Sequence, residues 1–278
     1  METVRTIADL RQSVAAWRRE GKSVGLVPTM GGLHEGHLSL VRLAAERTDR
    51  VIATLFVNPS QFAPNEDFDA YPRSESTDRD MFADAGAGLL FAPPVDEVYP
   101  DGHTTKVHVE GLSEVLEGEF RPHFFIGVAT VVSKLLIQAM ADVAVFGEKD
   151  YQQLQVIRRM ARDLDIPTEI LGAPTIREDN GLAMSSRNRY LNSDERARAA
   201  ELYASITEVA GIAAAQGDVD AACRAASARL LEAGFQEVEY VSVRDAETLA
   251  AHEGPPRPGR VLAAAWLGKA RLIDNVPV

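Results

Sequence analysis

Short apolar runs alternating with amphipathic stretches constrain the fold of this chain more than any other feature. Val24–Val27, Val51–Val57, Gly88–Phe91 and Val143–Phe146 are apolar runs of strand length, and Thr168–Leu171 closes the series. Runs of this kind read as strands buried on both faces; a half-exposed strand would alternate apolar with polar residues. Helical patterns lie between them. Ile7, Leu10, Val14 and Trp17 follow a Thr6 N-cap, with Asp9 three residues on as its acidic partner. Further helices are predicted from about His37 to Thr48, near Thr77–Ala85, over Gly127–Ala141 and over Tyr151–Leu164. In the third of these, Val128, Val131, Val132, Leu135 and Leu136 share one face, opposite Ser133, Lys134 and Gln138. Strand–helix–strand repetition with buried strands predicts an α/β fold, a doubly wound parallel sheet covered on both sides. One more strand is predicted at Lys106–Val109.

The pattern changes after Gly172-Ala-Pro174, the best hinge candidate. Arg177 to Asn192 reads as a polar loop. Two Ala-rich helices follow, Ser193 to about Gln216 and Val219 to Gly234. Then come a strand at Val238–Val243 and a hairpin of Val261–Leu267 with Ala270–Ile273, turning at Gly268-Lys269. This places a principal domain over residues 1–175 and a smaller α+β domain over 176–278, a division that suits 278 residues. Apolar residues at 46% and charged residues at 25% exclude wholesale disorder. With 29 Lys and Arg against 41 Asp and Glu, the net charge of −12 argues against a nucleic-acid partner or an anionic membrane surface. Glu2, Arg5 and Asp9 break the first ten residues, so no secretory leader is expected there, and no stretch nears ~18 uninterrupted apolar residues. Cys223 stands alone, which excludes an intrachain disulfide and a Cys-rich zinc site and fits a reducing cytoplasm.

Ligands of an open parallel sheet bind beyond the carboxyl ends of its strands. Polar segments follow the predicted strands at Pro28-Thr-Met-Gly-Gly-Leu-His-Glu-Gly-His37, Asn58-Pro-Ser-Gln61, Ala92-Pro93-Pro94 and Gly147-Glu-Lys-Asp150. Parallel strands share an end, so these segments should converge on one rim. Gly31 and Gly32 allow a tight turn, Gly36 a close approach of backbone to ligand. The helix starting near His37 aims unpaired N–H groups and a positive dipole end at the rim, an anion site. His34 and His37 lie one turn apart, either as donors to phosphate oxygens or as two surface histidines. A metal site on that spacing is the weaker reading, since no third ligand lies close, and the Gly-Lys-Ser/Thr ending of a P-loop is missing. Lys149 sits at another helix start, where a cation is unfavourable beside the dipole unless an anion lies between them; a solvated lysine is the alternative. Gln153 either faces the rim or is an exposed helix residue. Met184-Ser-Ser-Arg-Asn188 carries two hydroxyls and a guanidinium past the hinge, where it could close over a bound nucleotide.

These blocks resemble the HIGH-motif nucleotidyl-transferase superfamily and, within it, the pantothenate synthetase family. The resemblance is carried by Pro28 to Val41, Phe56-Val-Asn-Pro-Ser-Gln-Phe62, Tyr71-Pro-Arg73, Phe146-Gly-Glu-Lys-Asp-Tyr-Gln-Gln-Leu154 and Arg177 to Leu191. His-x-Gly-His alone marks the superfamily; the five blocks together are specific. The resemblance implies a Rossmann-like fold, a homodimer, and ATP-dependent condensation of pantoate with β-alanine through pantoyl adenylate. By position, it implies that His34, His37 and Lys149 hold the triphosphate, with His37 as the active-site proton donor. Ser185, Ser186 and Arg187 would bind the outgoing diphosphate. Met30, Gly36, Gly147, Asp150, Ile176 and Met184 would line the ATP site. Gln61 and Gln153 would hydrogen-bond pantoate, with Met30 and Phe62 against it, while Asn58, Tyr71 and Arg121 would lie on the β-alanine side. Magnesium is expected on the phosphates, supported through water by Asp78. The two imidazoles, the ammonium and the guanidinium are thus expected as four cations around one triphosphate.

The chain departs from the family pattern at one place. Arg-Pro-x-His-Phe-x-Gly-Val is replaced by Arg121-Pro-His-Phe-Phe-Ile-Gly-Val128, so the histidine comes one position early, as His123, and Phe124 takes its place. Either a one-residue backbone adjustment returns His123 to the site, or a polar contact on the amine side is lost. Two other readings stand beside the ligase: a similar adenylate-forming enzyme joining a different acid or amine, and a nucleotide-binding protein without turnover. The intact His34, His37, Lys149 and Arg187 set argues against the last. A tRNA-charging role fits poorly with the net charge.

Overall fold

The computed structural model describes residues 1–62 and 74–278. Its elements run β1 (Glu2–Val4), α1 (Ile7–Arg19), β2 (Val24–Val27), α2 (Glu35–Arg47), β3 (Arg50–Thr54), α3 (Glu75–Asp84), β4 (Leu89–Phe91) and α4 (Val95–Val98). They continue with α5 (Glu117–Phe120), α6 (Phe124–Ala139), β5 (Val143–Gly147), α7 (Tyr151–Asp163) and β6 (Glu169–Ala173). The last part is α8 (Ser193–Ala214), α9 (Val219–Glu232), β7 (Glu237–Asp245), β8 (Gly259–Leu267) and β9 (Ala270–Pro277).

The buried runs pair in parallel in the order β1-β4-β3-β2-β5-β6. Alternate side chains of each strand feed opposite faces. Leu26, Ile52, Leu89 and Ala144 meet α1, α6 and α7 on one side, through Leu10, Val14, Leu136 and Leu154. Val27, Val51, Leu90 and Val145 meet α2 and α3 on the other, through Val41, Ala44 and Phe82. The order reverses between β2 and β5: β3 and β4 lie on one side of β2, β5 and β6 on the other. The crevice beyond the carboxyl ends of β2 and β5 is therefore the switch point where such sheets hold ligands.

The C-terminal region is a separate antiparallel sheet, β7-β8-β9, with α8 and α9 against it. Leu202, Ile206, Val209, Leu230, Val261 and Leu272 form its own apolar core.

The structure differs from the sequence reading in several places. Residues 106–109 form no strand, because the Val107 N–H donates to Thr130 Oγ1 at 2.9 Å, on α6, instead of to a strand neighbour. β3 stops at Thr54, short of Val57; the Phe56 N–H turns to the Thr29 carbonyl, 3.1 Å away. β1, at three residues too short to carry a strand pattern of its own, pairs in parallel with β4. α2 begins at Glu35, two residues early, and α6 begins at Phe124, three residues before Gly127. Gly127 marks a close approach inside the helix: a Cβ there would fall 2.4 Å from the Ser60 carbonyl oxygen.

Candidate active site

After β2 the chain must turn sharply to start α2 at the rim. Gly31 and Gly32 do this in left-handed conformations, with φ of +91° and +65°. Asp78 braces the turn, its two oxygens accepting from the Gly32 N–H at 3.1 Å and the Leu33 N–H at 3.3 Å. It is buried and does not itself line the cavity described below, and its visible bonds are to the backbone of this turn. Among the described residues no three His, Cys, Asp or Glu side chains gather into a metal site.

His34 is the N-cap of α2, in extended conformation. Its backbone N–H donates to His37 Nδ1 at 3.3 Å, and the two rings lie 4.1 Å apart. With Nδ1 accepting, a neutral His37 carries its proton on Nε2. Burial, then the nearby Lys149 charge, pushes His34 down to about 4. Burial, then His34 and Lys149, pushes His37 down to about 3. In the ligand-free protein both values lie well below neutral pH, so burial and the Lys149 charge favour uncharged rings there, against the expectation of two cationic imidazoles before an anion binds. His34 Nδ1 is buried without a hydrogen-bond partner among the described residues.

These depressed values have a consequence for stability. When unfolded, His34 and His37 protonate near 6.5, while in the folded chain they resist until about 4 and about 3. The unfolded state thus binds more protons between those values, so this contribution is complete above pH 6.5 and lost on acidification through the window. The melting temperature is expected to fall from pH 7 to pH 4.5, and a His34→Gln/His37→Gln double variant to show a shallower slope. Equal slopes would refute the assignment.

β5 delivers the second group. Gly147 ends the strand, and a 3-10 turn over Glu148–Asp150 places Lys149 before α7. Lys149 Nζ lies 3.8 Å from Asp150 Oδ1, and its side chain is largely buried. The backbone of the turn is held from the other sheet: Asn275 Nδ2 donates to the carbonyls of Glu148 and Lys149, both at 2.9 Å.

The third group hangs from the loop after β6. Arg177 forms a two-pronged pair with Asp274 at 2.6 and 2.9 Å and stacks 3.8 Å over the Tyr203 ring. The Met184 N–H returns to the Ile176 carbonyl at 2.9 Å. Ser185 then caps a 3-10 turn over Ser186–Tyr190, its Oγ accepting from the Arg187 N–H at 3.2 Å.

A cavity of about 730 Å³ joins these parts. His34, His37, Lys149, Ser185, Ser186 and Arg187 all border it. So do Met30, Gly36, Gly147, Asp150, Ile176 and Met184, and, further along, Gln61, Phe62, Gln153 and Arg121. Gln152 lies beside Gln153, but its amide is consumed by the Leu112 and Val115 carbonyls and the Glu117 N–H. Asn58 stands behind the wall: fully buried, it binds Ser60, the Tyr99 hydroxyl and the Gly127 carbonyl, and so shapes the turn that carries Gln61. Tyr71 lies outside the described residues.

At the departure from the family pattern, Phe124 lines the cavity, with the Arg121 guanidinium 4.0 Å over its ring, while His123 is exposed. No backbone adjustment returns His123. Sequence reasoning also missed a charged group on this side of the cavity. Arg271 meets Glu117 at 2.7 Å and bonds to Glu239, and Arg121 meets Glu117 at 3.1 Å. Glu117 and Arg121 lie one turn apart on α5 and its C-terminal end, but Glu239 comes from β7 and Arg271 from β9, so no local spacing could have revealed the whole group.

A family model described as pantoate-beta-alanine ligase matches residues 2–277. The pantothenate synthetase of Caulobacter vibrioides is 59% identical over 278 residues, covering 99% of this chain and 98% of that one. That of Paramagnetospirillum magneticum is 57% identical, covering 99% and 97%. A crystal structure of the Thermus thermophilus pantothenate synthetase superposes with a TM-score of 0.92 at 46% identity, covering 99% of each chain. The Francisella tularensis pantoate-beta-alanine ligase, crystallised with beta-gamma ATP and beta-alanine, gives a TM-score of 0.83 at 32% identity, covering 99% of this chain and 97% of that one.

Proposed function

Because the chain belongs to the pantoate–β-alanine ligase family, we infer that it is a pantothenate synthetase, joining pantoate to β-alanine with ATP and releasing AMP and diphosphate. One observation carries the reading to this chain's own residues: His34, His37, Lys149 and Arg187, from three separate segments, border a single cavity.

The proposed course needs no protein nucleophile. A pantoate carboxylate oxygen attacks the α-phosphorus of ATP, the bond to the bridging oxygen breaks, and diphosphate leaves. The β-alanine amine, having lost a proton, then attacks the acyl carbon of pantoyl adenylate, and AMP departs. Catalysis is positioning together with stabilisation of charge developing on phosphate oxygens. His37 donates from Nε2–H, His34 stands beside it at the start of α2, and Lys149 supplies a full charge. Ser185, Ser186 and Arg187 receive the diphosphate. Gln61 and Gln153 orient pantoate against Met30 and Phe62. Arg121, stacked on Phe124, faces the amine side. The nucleotide is proposed to bring its magnesium on its own phosphate oxygens.

The smaller C-terminal region, from about 176, is proposed to act as a lid carrying the Ser185–Arg187 loop. The protein is further proposed to assemble as a homodimer; small-angle scattering with and without ATP and pantoate reads both properties. No described helix is long and apolar enough to cross a membrane. A cytoplasmic location is proposed from the enzyme's biosynthetic role and its single free cysteine.

Diphosphate release from ATP and pantoate, followed with and without β-alanine, tests the function. Full turnover is expected only with both substrates. Activation of pantoate without turnover of β-alanine would favour a ligase for another amine, the reading that Phe124 keeps open. Absence of release would refute the enzyme.

A further inference from the structure

Two consecutive polar residues near the end of β9, Asp274 and Asn275, are both almost fully buried, at 4% and 3% exposure. Burying polar groups is costly unless each is satisfied, and here each is. By the two-residue alternation of a strand they face opposite ways. Asp274 shares a face with Leu272 and Val276 of the smaller core. It binds both prongs of Arg177, at the root of the Ser185–Arg187 loop. Asn275 shares the other face with Arg271 and Ile273, which line the cavity. It donates twice to the Glu148–Lys149 turn. Its Oδ1 accepts from Arg260 Nε at 2.7 Å, and Arg260 itself pairs with Glu148 at 3.1 Å. The Asn275 N–H closes onto Asp274 Oδ1 at 2.7 Å, joining the two arms directly.

We propose that Asp274 and Asn275 are positioning residues for adenylation: side by side on one strand, they hold the Lys149 turn and the Ser185–Arg187 loop in a single frame. Both border the cavity, but their polar atoms are engaged by Arg177, Arg260 and the Glu148 and Lys149 carbonyls. Their effect is exerted through Lys149 on one side and Arg187 on the other, fixing the distance at which ammonium and guanidinium meet the same triphosphate. The inference rests on the roles proposed above for those two residues. A displacement of about 1 Å in such a frame costs roughly a hundredfold in rate.

Asn275→Asp keeps the side chain's size and its acceptor for Arg260 but replaces the two-fold donor by an oxygen facing two carbonyls. Pantoate-dependent exchange of diphosphate into ATP is expected to drop roughly 10- to 100-fold per folded molecule. The KM for pantoate is expected to stay within about twofold, since Gln61 and Gln153 are not held by this frame. The decisive measurement is a cycle with Lys149→Ala. If Asn275 acts through Lys149, the double variant is no slower than Lys149→Ala alone; Asp274→Asn is expected to behave likewise with Arg187→Ala. Losses that multiply, or a fall in melting temperature with normal exchange per folded molecule, would overturn positioning and leave a purely structural role. Normal exchange in Asn275→Asp beside a dead Lys149→Ala overturns the positioning alone. Normal exchange in Lys149→Ala overturns the underlying site reading as well.

Discussion

Lys149→Ala is expected to slow pantoyl-adenylate formation at least about a hundredfold while hardly moving the melting temperature. The two halves of this expectation have separate causes. Removing one donor from the charge developing at the α-phosphate costs ~3 kcal/mol of barrier. The folded protein, by contrast, asks little of this side chain: among the described residues its ammonium pairs with Asp150 alone, at 3.8 Å, and the turn is held through backbone carbonyls. Two changes should follow in the ligand-free protein. His34 and His37 lose a positive neighbour, so their depressed values should rise toward the ordinary one. Diphosphate–ATP exchange gives the rate and NMR titration of the imidazoles gives the shift. Near-normal exchange would remove Lys149 from the mechanism.

His37→Ala should be equally damaging to adenylation, roughly a hundredfold, but it should also cost stability. His37 Nδ1 is the acceptor for the His34 N–H at the start of α2. Losing it strands a partly buried donor, a cost of ~1–3 kcal/mol. His34→Ala is the control, because that ring's Nδ1 is buried without a hydrogen-bond partner among the described residues and the His37 N–H keeps the His34 carbonyl at 2.8 Å. Chemical denaturation should therefore separate the two variants even where their exchange rates agree. Equal stability would show that the His34–His37 bond contributes nothing to the helix start.

Sequence and structure agree most closely where the chain is apolar. Val24–Val27, Gly88–Phe91 and Val143–Phe146 could hardly be anything but buried strands, and their carboxyl ends placed the His34 and Lys149 segments on one rim. Legibility fell where a group's fate depends on distant partners. Lys106–Val109 has strand composition, yet Thr130 of α6 takes the Val107 N–H. Asp274-Asn275 looks like the polar end of a hairpin, which predicts a strand ending at Ile273; β9 instead runs to Pro277 because both polar residues find partners across the molecule. The charge state of the histidines was likewise invisible, since burial decides it. His123 and Phe124 were readable as a departure, but which of them meets the cavity depends on how α6 begins.

Asp78 illustrates how an activity screen can mislead. Its carboxylate is spent on the Gly32 and Leu33 amides, one layer behind the histidines. A survey that scored only turnover would find Asp78 indispensable and, since acidic residues near nucleotide sites invite the inference, label it an ion ligand. Excess divalent cation is the control: a loss of activity it does not rescue is the expected sign that what fails is the curvature of the loop leading into α2.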